Sequence, residues 1–292
     1  ATDTTEFAIY PDVDGIDFAI SIDEIKEMMK EDKEEYVIPL VRSKAEITIN
    51  NIGIEAFPYK ISTFPTTYDA SNTSRSENLR IAASKINGTV IMPGEQFSFN
   101  KVVGERTVTE GYKNAKIYSD GQVVDGLAGG ICQISSTLYN AALLANLQID
   151  ERYNHSFTTA YVPGGRDATV VYGIKDLKFT NTRKFPIKIE ASVENGVATF
   201  SIYGIKEENE YEVKILPVKT ETTPYNVKTI VDPTLAPGKI SVTQVGAPGQ
   251  KVTTYKEVYL NGIQISREVL SNDVYKVMTR IVRVGPEVPV QQ

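Results

Sequence analysis

Helical spacing is confined to the first half of this sequence; beyond about Leu147 no stretch repeats its apolar residues every three or four positions. Before that point three segments do. Ile22, Ile25 and Met29 recur at helical spacing behind Ser21 and Glu24, which are placed to form a capping box. A second such pair, Ser74 and Glu77, precedes a helix predicted over 78–86 with Leu79, Ala82, Ala83 and Ile86 on one face. The third helix follows Gly129-Gly130 and runs to about Leu147, with Ile134, Leu138, Ala141, Ala142 and Ala145 as its buried stripe. Between the second and third, Thr89 to Phe99 reads as two short strands around the Pro93-Gly94 turn. Afterwards the pattern is that of strands, predicted over 155–162, 168–172, 177–180, 187–194 and 198–205. Helices followed by a run of antiparallel strands predict an α+β fold, with a cysteine-bearing helix packed on the strands.

A chain of 292 residues exceeds the usual size of one domain, and the pattern divides it into three modules. Residues 1–62 offer one helix and extended segments over 36–41 and 45–52, too little for an independent core. They read as the end of a longer α+β module. Residues 63–207 form the central α+β domain. Residues 208–292 form an elongated all-β module, with Thr- and Val-rich segments over 211–216, 228–231, 238–245, 251–260 and 275–284 separated by Gly and Pro.

Charge and cysteine content exclude several classes. The net charge of −6 is uneven, since residues 1–60 hold 14 acidic and 6 basic side chains. No basic patch with interleaved aromatics is present, so nucleic acid is not an expected partner. One cysteine rules out an intrachain disulfide framework. One cysteine and one histidine cannot close a zinc site, Glu95 and Asp125 share no motif, and the isolated Gly94 and Gly126 make no phosphate cradle. No metal and no cofactor is therefore expected. No apolar run reaches the ~20 residues that cross a bilayer. The polar start without Met looks like a processed or truncated one, so an upstream signal peptide or membrane anchor is expected to be missing from view.

The segment with chemical potential is Gly129-Gly130-Ile131-Cys132-Gln133-Ile134-Ser135-Ser136-Thr137. A thiol in the first turn of a helix sits in the positive end of the helix field, near backbone N–H groups that favour thiolate, the nucleophilic form. The paired glycines allow a tight turn and the close approach of a substrate backbone. The same N–H groups could form an oxyanion hole around Gly130. His155, the chain's one histidine, lies 23 residues downstream, where a returning strand would bring it beside the helix start. Cysteine on a helix terminus, then histidine on a neighbouring strand, is the order in papain-like and transglutaminase-like sites. Asp167 is the candidate to orient the ring, from the start of the next strand, with turn-shaping as its competing role. Gln133, Ser135 and Ser136 are candidates for substrate or oxyanion contacts. Arg166, expected to be exposed, suits a substrate carboxylate. Against all this stands the plainer reading, that a lone cysteine is a small buried hydrophobe.

Residues 64–205 resemble the VanW domain. The resemblance is carried by Pro93-Gly94-Glu95-Gln96-Phe97-Ser98-Phe99-Asn100, by Gly129 to Asn140, by Asn154-His155-Ser156, by Gly165-Arg166-Asp167-Ala168-Thr169-Val170 and by Asp176-Leu177-Lys178-Phe179. It implies L,D-transpeptidase activity on peptidoglycan with a cysteine nucleophile, and water as acceptor would make the same site an L,D-carboxypeptidase. The alternative is a non-catalytic wall-binding accessory. Residues from about Glu210 to Gly285 are similar to a G-five domain, on Thr223-Pro224-Tyr225, Asp232-Pro233-Thr234-Leu235, Gln244-Val245-Gly246, Gly249 to Tyr255 and Asn261-Gly262. The start, on Asp14-Gly15-Ile16-Asp17 and the following helix, is similar to the end of a peptidoglycan-binding module. These resemblances imply stem peptides and glycan as partners, and a location outside the cell, in the wall or anchored on the outer face of the membrane.

Overall fold

The computed structural model describes residues 15–43, 57–119 and 122–287. The chain divides into two units, Ala1–Pro58 and Tyr59–Gln292. In the first, β1 (Gly15–Phe18) pairs antiparallel with β2 (Leu40–Ser43), and α1 (Ile22–Met28) lies between them in sequence. Ser21 and Glu24 form the expected capping box, Ser21 Oγ accepting from Glu24 N–H while Glu24 accepts from Ser21 N–H. None of the residues of α1 is buried. The strand predicted over 36–41 is shorter and displaced to β2, and the one predicted over 45–52 lies outside the described residues.

The second unit begins with β3 (Tyr59–Thr67), α2 (Thr73–Ile86), β4 (Val90–Ile91), β5 (Gln96–Ser98) and α3 (Phe99–Val103). A hairpin of β6 (Asn114–Ser119) and β7 (Gln122–Leu127) leads into α4 (Ile131–Leu144), then β8 (Gln148–Glu151) and β9 (Lys178–Thr180). The hairpin β10 (Ile187–Glu194) and β11 (Val197–Gly204) turns at Asn195-Gly196, both at positive φ as a two-residue hairpin turn requires. An antiparallel sheet of order β3-β11-β10-β4 carries both helices, α2 against β10 and α4 against β3 and β11. The predicted stripes do the packing: Leu79, Ala82, Ala83 and Ile86 of α2, and Ile134, Leu138, Ala141, Ala142 and Ala145 of α4, are all buried. A smaller sheet, β5-β9-β8, adds the stacked pair Phe97 and Phe179, 4.8 Å between centroids. The two strands around Pro93-Gly94 exist, but they part into different sheets.

Two expectations about these elements are corrected. The N-cap of α2 is Asn72, whose side chain accepts from Arg75 N–H, so the helix starts before the expected Ser74 box. Residues 155–162 and 168–172 are not strands; apart from a bridge between Val171 and Lys175 the stretch between β8 and β9 is irregular. Its backbone is held by side chains of α4 in place of a ladder. Ser135 and Ser136 donate to Ala168 C=O, Ser136 Oγ accepts from Ala168 N–H, and Asn140 donates to Arg166 C=O. Three buried hydrogen bonds and one part-buried one thus fix a segment that pairs with no strand.

The last part comprises β12 (Tyr211–Thr223), β13 (Val227–Val231), β14 (Ile240–Gln244), β15 (Gly249–Leu260), β16 (Ile263–Tyr275) and β17 (Arg280–Val284). They make two three-stranded sheets, β12-β15-β16 and β13-β17-β14, the latter with β13 and β17 parallel. The all-β character matches expectation. The sequence pattern missed β16, although Asn261-Gly262, both at positive φ, is the hairpin signal that announces it. Val213, Ile215 and Val258 from this part belong to the same hydrophobic cluster as α4. The all-β part therefore shares a core with the preceding domain.

Candidate active site

Cys132 is the second residue of α4, after a turn in which Gly130 takes φ +107°. The paired glycines are required by the protein's own packing. A Cβ on Gly129 would stand 2.8 Å from the Ala115 and Lys116 backbone of β6, and one on Gly130 would stand 3.0 Å from Arg75 Cγ and 3.2 Å from Leu79 Cδ2. The turn expected there is present, but the close approach is made by β6 and α2, not left open for a substrate. The N–H groups of Ile131 and Gln133 are already committed to the carbonyls of Ala128 and Gly130.

The irregular stretch after β8 brings the other two groups to the thiol. His155 Nδ1 lies 2.6 Å from Asp167 Oδ2, and the same oxygen accepts from His155 N–H at 2.6 Å. With Nδ1 so engaged, Nε2 is left toward the Tyr161 hydroxyl at 3.5 Å, and the imidazole is close enough to the Cys132 thiol to lower it. Cys132 Sγ also lies 3.6 Å from Val170 C=O. Cys132, His155 and Asp167, the three residues singled out in the sequence, are therefore brought to one site.

Burial acts on all three, and their mutual contacts outweigh it. Burial would raise the Cys132 thiol, but the bond to His155, the imidazolium charge and the nearby Arg106 bring it below the usual thiol range. Burial would depress His155, yet bonds to Asp167 and Cys132 push it up to about 9. Burial would raise Asp167, while His155, Arg152 and Tyr275 hold it below the usual carboxylate range. Such opposed shifts favour the thiolate–imidazolium form over the neutral pair, a property of the two groups together.

The polar residues expected to meet substrate are turned inward. Gln133 is buried, accepting from Arg75 Nη2 and donating to Thr66 Oγ1 and Thr67 C=O. Ser135 and Ser136 are fully buried and bond the Cys132 and Ala168 carbonyls, so they shape the site and offer no surface to a ligand. Arg166 is half-buried, not exposed: its Nε donates to Asn140 Oδ1 at 2.6 Å and its guanidinium covers the Phe64 ring at 4.8 Å. Glu95 caps its own turn by accepting from Met92 N–H, and Asp125 pairs with Lys116, so they form no carboxylate pair.

Several site residues escape a reading of the sequence. Arg152 donates from Nε to Asp167 C=O and from Nη2 to Asp167 Oδ1. Its Nη1 reaches Asp273 Oδ1 at 2.6 Å. Tyr275 donates its hydroxyl to Asp167 Oδ1. Arg106, in the loop after α3, acts on the thiol through its charge, and is held by Asn100 Oδ1 and the rings of Phe99 and Tyr172, while its Nη2 is buried without a partner. Arg152 stands three residues before His155 and could have been weighed as its neighbour. Nothing local marks Asp273 or Tyr275.

A half-buried thiol on a helix start, an imidazole on its flank and a carboxylate behind the imidazole are set in a domain of two helices on an antiparallel sheet, backed by an all-β part. Residues 74–203 match the family described as "VanW like protein", and residues 217–287 match the G5 domain. The chain thus carries a VanW-like domain followed by a G5 domain, a pair that points to association with the cell wall. Over 144 residues it is 45% identical to "Uncharacterized protein YoaR" of Bacillus subtilis (strain 168), covering 49% of this chain and 48% of that protein. Over 135 residues it is 30% identical to "Vancomycin B-type resistance protein VanW" of Enterococcus faecalis (strain ATCC 700802 / V583), covering 44% of this chain and 49% of that protein. The chain thus spans about half the length of these relatives. A solved structure titled "IgA1 Protease G5 domain structure" is 26% identical, covers 29% of this chain and all of that one, and superposes with a TM-score of 0.19.

Proposed function

We propose that this protein is a cysteine-dependent acyltransferase that acts on peptidoglycan stem peptides as an L,D-transpeptidase. The observation that carries the reading is the grouping of half-buried Cys132 and His155 with buried Asp167, with the thiol lowered and the imidazole raised to about 9. In that state the thiolate attacks the carbonyl at the L-to-D centre of a donor stem, and the imidazolium gives its proton to the departing D-alanine amine. A thioester on Cys132 results. The amine of an acceptor stem then attacks the thioester, His155 takes up its proton, and the thiolate leaves. Water in place of the amine gives L,D-carboxypeptidase turnover. Asp167 holds the ring so that Nε2 faces sulfur and stabilises the imidazolium. The VanW-like domain supports the reaction class, and the G5 domain supports a glycan or stem-peptide partner outside the cell. Among the described residues no helix is long and apolar enough to cross a membrane.

The test is incubation of the protein with purified tetrapeptide muropeptides, followed by mass spectrometry. Cross-linked dimers or released D-alanine are expected from the parent, and neither from a folded Cys132→Ala variant. Turnover by Cys132→Ala at the parental rate would refute Cys132 as the nucleophile, and no turnover by either would leave a non-catalytic wall-binding protein in its place.

A further inference from the structure

The orienting carboxylate of the thiol site is not held by the VanW-like domain alone. Asp167 Oδ1 accepts from Arg152 Nη2 at 3.1 Å and from the Tyr275 hydroxyl, and Arg152 in turn spans to Asp273 Oδ1. Tyr275 and Asp273 both lie on β16, in the G5 domain. The backbone of this strand end is bound to the same irregular stretch. Lys276 N–H donates to Ser156 C=O at 2.7 Å, Asn154 Nδ2 donates to Val274 C=O at 3.0 Å, and Gly165 N–H donates to the Tyr275 hydroxyl at 2.6 Å.

The glycines of the Pro163-Gly164-Gly165 turn carry the same message. A Cβ on Gly164 would stand 3.0 Å from Tyr275 Cε2, and one on Gly165, at φ +86°, would stand 2.0 Å from Thr254 Oγ1 of β15. Two glycines of the VanW-like domain thus have the close approach of the G5 strands as their steric reason. The Arg152–Asp167 and Arg152–Asp273 pairs are both buried, so they are shielded from the screening that empties most surface ion pairs of effect.

We propose that Tyr275 and Asp273 are positioning residues for Cys132 and His155, so that the G5 domain completes the thiol site in the same chain. The inference rests on the acyl-transfer reading above. Tyr275 donates to the oxygen of Asp167 that His155 does not use, and fixes the carboxylate's rotation. Asp273 takes one edge of the Arg152 guanidinium and leaves the other two donors aimed at Asp167. Any wall ligand that moves β16 would therefore act on the thiol through Asp167, which gives the G5 domain a regulatory role besides attachment. The groups that face the imidazole and its carboxylate are Cys132, Tyr161, Arg152, Tyr275 and Asp273, with Tyr139 of α4 beneath the Arg152 guanidinium at 5.5 Å.

One histidine and one cysteine make the test unambiguous. In the full chain, the His155 ring is titrated by NMR and the alkylation of Cys132 by iodoacetamide is followed against pH. Both are measured for the parent, Tyr275→Phe, Asp273→Asn and the control Arg283→Gln, whose ion pair with Asp232 lies on β17, outside the β16 contacts. Muropeptide turnover is measured alongside. Tyr275→Phe should lower the His155 midpoint toward its ordinary range and slow alkylation at pH 7. It should reduce kcat about 10- to 100-fold with KM little changed, the scale set by supporting residues behind a reactive group. Asp273→Asn, which keeps the shape and one acceptor for Arg152, should shift both readouts in the same direction by less. Unchanged midpoints and alkylation in a folded Tyr275→Phe overturn the inference, as does an equal shift in Arg283→Gln. Should Tyr275→Phe not fold, an unshifted Asp273→Asn overturns it. Failure of the parent to turn over muropeptides would remove the transpeptidase reading, while the titration and alkylation still decide the positioning.

Discussion

Replacing Asp167 by Asn puts a donor where the structure needs an acceptor on both sides. One oxygen accepts twice from His155, and the other accepts from Arg152 and Tyr275. Whichever way the amide turns, two donors face an NH2 group, and Arg152 loses a charge partner in a buried site. Removing one member of a buried pair costs about 3–5 kcal/mol, which lowers Tm by about 10 °C in a unit of this size. The chemical cost is separate. Raising His155 from 6.5 to about 9 corresponds to a preference of ~3 kcal/mol for imidazolium, to which the bond with Asp167 is the largest favourable contribution. Without it the thiolate–imidazolium pair is drawn back toward neutral thiol and imidazole, and turnover should fall by about 10³- to 10⁴-fold. Thermal unfolding gives the first quantity, and NMR titration of the sole histidine with alkylation of the sole cysteine gives the second. An Asn variant with parental Tm, or with a parental His155 midpoint and alkylation profile, would refute the orienting role of Asp167.

The raised His155 also predicts how stability follows pH. The stability His155 contributes is fully present below about 6.5 and is lost as pH rises through about 9, while the lowered Cys132 thiol contributes in the opposite sense. Urea midpoints of the parent should therefore be nearly flat over that window, and those of Cys132→Ala, which keeps the bond between His155 and Asp167, should decline. Turnover should lose its alkaline limb over the same range as the imidazolium that protonates the leaving amine disappears, which a pH–rate profile checks. Gly130→Ala should destabilise by about 1–3 kcal/mol by thermal unfolding, because φ +107° strains an L residue and its Cβ meets Arg75 and Leu79. Ending the chain near Glu208 strips the G5 domain from a shared core that includes Val213, Ile215 and Val258; turnover of soluble muropeptides should be lost, and retention at the parental rate would contradict the shared core as a functional unit.

The sequence by itself determined the elements that depend on neighbours within a few turns or across a tight hairpin. The stripes of α2 and α4 are legible because burial follows a period of 3.6, and β10 and β11 because they are joined by Asn-Gly and paired throughout. It also singled out Cys132 and His155, simply because the chain has one thiol and one imidazole to offer. What it could not convey is where the polar side chains of α4 point. Ser135 and Ser136 read as candidates for substrate or oxyanion contacts, yet together with Asn140 they replace a missing strand for residues 166–168 and are buried for that reason. Nor could it convey that Asp167 meets a tyrosine 108 residues away, or that Arg152 meets an aspartate 121 residues away. Periodicity reports on faces and turns, while the partners of a buried charge are chosen by whichever distant strand the tertiary structure lays beside it, in this protein the end of β16.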